Sequence, residues 1–169
     1  PPVKVYHGVN VSTDAPHVVV APPKVAPHRW PQQLRLFLSG TGTEPLDYSC
    51  LLRSIASDVP VIGLSYSWLP ASDATRNRLC AVGAHGADEV ARCLEAQHRI
   101  AVHGGETDQL WPPMAAEDAI SGRLVLLLQH LSTAYPDEPW SQFLYDDGHS
   151  LQPVWGRIIV GGHSQGGGH

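Results

Sequence analysis

Charge is scarce in this sequence: 16% of its 169 residues are Asp, Glu, Lys or Arg. So low a fraction argues against a disordered tail or a nucleic-acid scaffold, both of which need excess charge. No basic stripe is present and the net charge is -5, so a phosphate backbone has no electrostatic footprint to meet. Long apolar runs are missing as well. The longest block, Leu124 to Leu128, falls far short of the roughly 20 residues a membrane span requires. There is no signal peptide and no initiator Met, because the chain opens Pro1-Pro2-Val3. That opening suggests a processed or trimmed product or an incomplete gene model, and it leaves the compartment open between cytoplasmic and exported. Only three cysteines occur, without the paired CxxC of a zinc site, and the histidines form no HxxxH or HxH pair. No metal or other cofactor is therefore expected.

What is there suits one globular domain. The apolar fraction of 43% is ordinary, and the length is enough to bury a core. The ten histidines add positive charge below about pH 6.5, so the net charge depends on pH. Cys50 falls in a helical pattern beside Leu51 and Leu52 and is expected to be a small buried hydrophobe. Cys80 and Cys93 flank a loop-like stretch and could form a disulfide, which would favour an exported protein.

The apolar patterning predicts alternating strands and helices. Strands are expected at Val3–Val9, Val18–Val20, Leu34–Leu38, Val59–Leu64 and Val154–Val160, with Pro60 near the start of the fourth. Ala21–Pro31 holds four prolines and reads as a loop. A helix is expected over Asp47–Ser57 with Asp47 as its cap. The best helix is Glu117–Ala134, where Ile120, Leu124, Leu127, Leu128 and Leu131 form one stripe. The long stretch Ser65–Pro113 reads as an insertion, helical over Asp88–Gln97 and broken at Gly104-Gly105. Tyr135–Pro153 reads as a loop anchored by Trp140 and Phe143. This alternation predicts an α/β fold: a mostly parallel sheet with helices on both faces.

The last strand runs straight into Gly161-Gly162-His163-Ser164-Gln165-Gly166-Gly167. A GxSxG pattern is weak alone. After a buried-type strand and before small residues it has the context of a nucleophile turn. A sharp strand-to-helix bend lifts the Ser164 hydroxyl off the sheet, and a side chain at Gly162 or Gly166 would collide with backbone there. A phosphate-binding reading of the same glycines fails, because no Gly-Lys-Ser/Thr and no nearby lysine is present. His163 is expected to turn its ring away from the hydroxyl.

The second signal is Leu36-Phe37-Leu38-Ser39-Gly40-Thr41-Gly42. Acyl transfer needs preorganised donors for a tetrahedral oxyanion. One would be the backbone N–H of Gln165, just after the nucleophile, and the other would come from this earlier turn, with Thr41 as the expected donor. An ordinary strand-to-helix connection is the alternative reading of the same turn.

Strand, SGT turn, helix, strand, long insertion, helix, strand and GHSQG, in that order, resemble the first half of the α/β-hydrolase fold. In particular they resemble a little-characterised microbial branch with an SGT turn and a GHSQG elbow. The resemblance runs from about Val3 to His169. It implies a serine nucleophile at Ser164, oxyanion donors at Thr41 and Gln165, and small-molecule, ester-like substrates. In that family the triad acid and histidine follow the nucleophile, whereas five residues follow Ser164 here. The chain is therefore expected to be the N-terminal part of a single domain, incomplete just after the elbow and nearly inactive alone, with the last strand as an exposed apolar edge. The five residues after Ser164, three of them glycine, are expected to be too few to hold a helix. His169 is expected to be poorly placed as a base. A noncatalytic binding or pseudoenzyme module on the same fold is the competing reading.

Overall fold

In a computed structural model, residues 3–6, 15–22, 30–67, 80, 86–106, 111 and 113–169 are described. Five strands form one sheet: β1 (Val3–Tyr6), β2 (His17–Val20), β3 (Leu34–Leu38), β4 (Val61–Leu64) and β7 (Ile158–Gly162), in the spatial order β1-β2-β4-β3-β7. Among the described residues the α-helices are α1 (Ser49–Ile55), α2 (Ala87–His103), α3 (Ile120–Ala134) and a single turn α4 (Gln165–Gly168). A separate hairpin joins β5 (Leu144–Asp146) to β6 (Leu151–Pro153).

The fold is α/β, but the sheet is mixed rather than mostly parallel. β3 runs parallel to both β4 and β7, while β2 is antiparallel to β1 and to β4. The reason lies in the connections. A parallel neighbour needs a crossover of a dozen or more residues, usually helical. α1 supplies one between β3 and β4, and α2 with α3 supplies one between β4 and β7. No helix among the described residues separates β1 from β2.

Both faces of the sheet are covered, as its sequence pattern predicts. Alternation along the central strands sends Val19, Leu36, Leu38, Ile62 and Leu64 to one side, against Leu124, Leu127, Leu128 and Leu131 of α3. Val18, Val20, Phe37 and Val61 face the other side, against Leu52 and Ala56 at α1. Each such side chain contributes about 1.5–3 kcal/mol by leaving water. Trp140 and Phe143 are fully buried anchors, and Trp140 meets Trp30 edge to face with ring centroids 5.0 Å apart.

Several local expectations change. The helical stretch after the SGT turn begins earlier, as a 3-10 turn over Pro45–Tyr48. Pro45 suits a first helical position because its missing N–H would have no partner there. The cap is therefore Glu44, whose N–H donates to Asp47 Oδ2 at 2.8 Å, and Asp47 lies inside the turn. Cys50 is exposed, because α1 turns Leu52 inward and Cys50 outward. α2 is longer than expected and stops where Gly104 takes a φ of 72°. A β-carbon at Gly104 would lie 2.8 Å from the Ala116 Cα. The stretch before β7 is no plain loop: β5 and β6 pair across a turn in which Asp147 Oδ1 accepts the N–H groups of His149 and Ser150. Such Asx turns replace backbone pairing locally and leave no periodic signal. The strand expected from Val154 begins at Ile158, after a 3-10 turn over Trp155–Arg157.

Cys80 and Cys93 are joined as a disulfide with Cα atoms 5.8 Å apart. The bond packs with Ala96, Ile100 and Trp111, and the Trp111 Nε1–H donates to the Cys93 carbonyl at 2.8 Å. The proposed insertion over 65–113 lies in part outside the described residues, as do the residues 7–9 assigned to the first strand.

Candidate active site

The chain leaves β7 at Gly162 and turns at Ser164 into α4. Ser164 has φ 52° and ψ −119° and is the one non-glycine residue with positive φ among the described residues. Such a conformation costs of order 1–3 kcal/mol and persists only where surrounding contacts over-determine it. Those contacts are present. The His163 N–H donates to the Leu38 carbonyl at 3.1 Å, tying the bend to the end of β3. Gly166 N–H donates to His163 O and Gly167 N–H to Ser164 O, each at 3.0 Å. Both flanking glycines are closed to a side chain. A β-carbon at Gly162 would lie 2.4 Å from the Gly166 carbonyl carbon, and one at Gly166 would lie 2.2 Å from Leu38 O. This packing also explains why α4 forms at all. A glycine-rich turn has little helical preference of its own, and here it is pinned against β3.

The Ser39–Thr43 turn lies directly against the bend. A β-carbon on Gly40 would come within 3.2 Å of the Ser164 Cβ. The Thr41 hydroxyl donates to Gln165 Oε1 at 2.5 Å. Thr41, far from Ser164 and Gln165 in sequence, is thus their neighbour in space. Neither the Thr41 nor the Gln165 backbone N–H donates to a protein acceptor among the described residues. From the other side the Tyr66 hydroxyl donates to Ser39 O at 2.7 Å. Burial, and after it the nearby Tyr48, pushes the Tyr66 phenol well above its usual range, so it stays a donor.

Comparison of the chain with protein-family models, with curated proteins and with solved structures finds no match.

The histidines near the bend do not serve the serine directly. Among the described residues the Ser164 hydroxyl has no hydrogen-bond partner. The exposed His163 bonds through Nδ1 to the Tyr48 hydroxyl at 2.8 Å. His169 stacks edge-on against Tyr66 and meets His98 Nδ1 to Nδ1 at 3.0 Å. Burial, and then His98, lowers its pKa to about 4. Among the described residues no group of three or more His, Cys, Asp or Glu could hold a metal ion, and no helix is long and apolar enough to cross a membrane. Tyr48 and Tyr66 are the site residues that sequence reasoning misses. Tyr48 sits 115 positions from His163, and nothing local marks it as more than a helix-face aromatic.

Proposed function

We propose that the chain carries the nucleophile and oxyanion side of a serine hydrolase of the α/β-hydrolase type, acting on ester-like acyl bonds. One observation carries this reading: Ser164 holds a positive-φ bend at a strand-to-helix junction, pressed against the turn that follows β3. That junction exposes a hydroxyl, and the turn after the third strand is where the second oxyanion donor of such an elbow originates. The unengaged N–H groups of Thr41 and Gln165 supply donors of the kind a tetrahedral intermediate needs. The disulfide favours an oxidising compartment, and hence export.

A second reading is a noncatalytic binding module, and the unpartnered Ser164 hydroxyl favours it. Without a base a serine hydroxyl stays protonated and attacks slowly. Even so, oxyanion donors and binding alone leave about 10³-fold acceleration over water when a triad member is missing. The 169-residue chain is therefore expected to be labelled slowly by a p-nitrophenyl phosphonate, at Ser164 and above the background of Ser164→Ala. Labelling that survives Ser164→Ala, or a folded chain that takes no label, sinks the hydrolase reading, and the second outcome supports the binding module.

A further inference from the structure

Three side chains form a continuous polar relay between the elbow and the turn beside it. Thr43 Oγ1 donates to Gly40 O at 2.8 Å, Thr43 Oγ1 and the Tyr48 hydroxyl are 3.0 Å apart, and the Tyr48 hydroxyl and His163 Nδ1 are 2.8 Å apart. Counting protons assigns their directions. A hydroxyl has one hydrogen to give. The Thr43 hydrogen goes to Gly40 O, which can only accept. Thr43 then has only lone pairs left for Tyr48, so the Tyr48 O–H points to Thr43. The Tyr48 oxygen is left as the acceptor for His163, and Nδ1 must carry the hydrogen. Were Tyr48 to donate to His163 instead, Thr43 would either give up its bond to the Gly40 carbonyl or face the Tyr48 oxygen at 3.0 Å with no hydrogen between them.

We infer that Tyr48 is a positioning residue: with Thr43 it locks His163 as the Nδ1–H tautomer and so clamps the oxyanion turn to the nucleophile elbow. The catalytic half of this inference rests on the hydrolase reading above; the tautomer half does not. The Tyr48 ring is wedged between Phe37 on β3, 4.8 Å away, and His163, 5.8 Å away. The hydroxyl therefore sits on a fixed support. The relay grips the turn at Thr43 and Gly40, and the Thr41–Gln165 bond grips it at Thr41. The donor N–H of Thr41 lies between the two grips. Displacing a positioned group by about 1 Å can cost 100-fold in rate, so loss of one grip is expected to slow reaction at Ser164 by about 10-fold.

The test uses the whole chain with ¹⁵N-labelled histidine, the His163 ring being assigned by its loss in His163→Asn. At a pH where imidazole is neutral, the long-range nitrogen–proton spectrum is expected to show His163 protonated at Nδ1. Tyr48→Phe keeps the ring and is expected to move His163 toward a mixture of both tautomers. Thr43→Val is a second route to the same change, and Thr43→Ser is expected to keep the wild-type pattern. Phosphonate labelling of Ser164 is expected to slow about 10-fold in Tyr48→Phe and Thr43→Val, with unchanged melting temperature. A wild-type His163 protonated at Nε2, or one indifferent to Tyr48→Phe, overturns the relay. Unchanged labelling rates beside the expected spectra overturn the positioning role. Absence of labelling in the wild type removes the hydrolase reading and that role together, while the spectra still decide the tautomer.

Discussion

At the scale of single residues, burial decides which groups titrate out of range. His17 is almost completely buried, its Nδ1 accepts the Ser65 N–H at 3.0 Å, and the side chain stays neutral. Loss of water, and then the Arg123 charge, lowers its pKa from 6.5 to about 4. Below pH 6.5 the unfolded chain binds a proton that the folded chain refuses. Stability is thus full above pH 6.5 and is lost as the pH falls toward 4, by about 1.4 kcal/mol per pH unit for this one group. His169 acts in the same direction. Urea titrations at neutral and mildly acidic pH should show that decline, and His17→Asn should make it shallower, with His169 still contributing; equal stability in wild type at both pH values contradicts the assignment. Gly40 makes a steric argument of the same local kind. A β-carbon there would meet His163 Nδ1 at 3.0 Å and His163 O at 3.2 Å. Gly40→Ala is expected to push the turn off the bend and slow Ser164 labelling by at least about 10-fold, and by no more than the roughly 100- to 1000-fold of losing an oxyanion donor outright. A labelling rate equal to wild type would show that the turn does not depend on this close approach.

Among the elements, α2 depends most on a covalent tie. Its buried face is small: Cys93, Ala96, Ile100 and Ala101, with Gln97 the polar member. The disulfide closes a short loop, with 13 residues of sequence separation, onto this face. Closure of a loop near that length is worth about 3 kcal/mol. Reduction, or Cys80→Ser with Cys93→Ser, should therefore lower amide-exchange protection in α2 while leaving β3 and α3 protected. Uniform loss of protection across the sheet would mean that α2 and the core melt as one unit. The α3 stripe and the β3 run LRLFL were legible because periodicity and burial coincide in them. The hairpin β5–β6 was not, because its turn is made by an aspartate bonding to backbone rather than by alternating side chains. Capping went to Glu44 instead of Asp47 because Pro45 moved the first turn forward.

For the whole molecule, the edge of the sheet matters most. Among the described residues β7 pairs with β3 on one side only, and Ile159 and Val160 are 48% and 47% exposed on its two faces. An unpaired, apolar edge strand invites association with another strand. Light scattering is expected to show the 169-residue chain self-associating with concentration, and Ile159→Lys is expected to suppress this. A monodisperse monomer at all concentrations would contradict it. By itself the sequence determined the α/β class, the strands at Leu34–Leu38 and Val18–Val20, the two-sided covering of the sheet, and the serine bend, because short-range pattern and steric demand coincide at those places. Tertiary structure alone decided the mixed strand directions, since pairing partners are chosen by connections and not by local pattern. It also decided that a glycine-rich turn could hold as α4, and that Tyr48, Thr43 and His163 meet. Those outcomes depend on contacts between residues distant in the chain, where no local periodicity carries information.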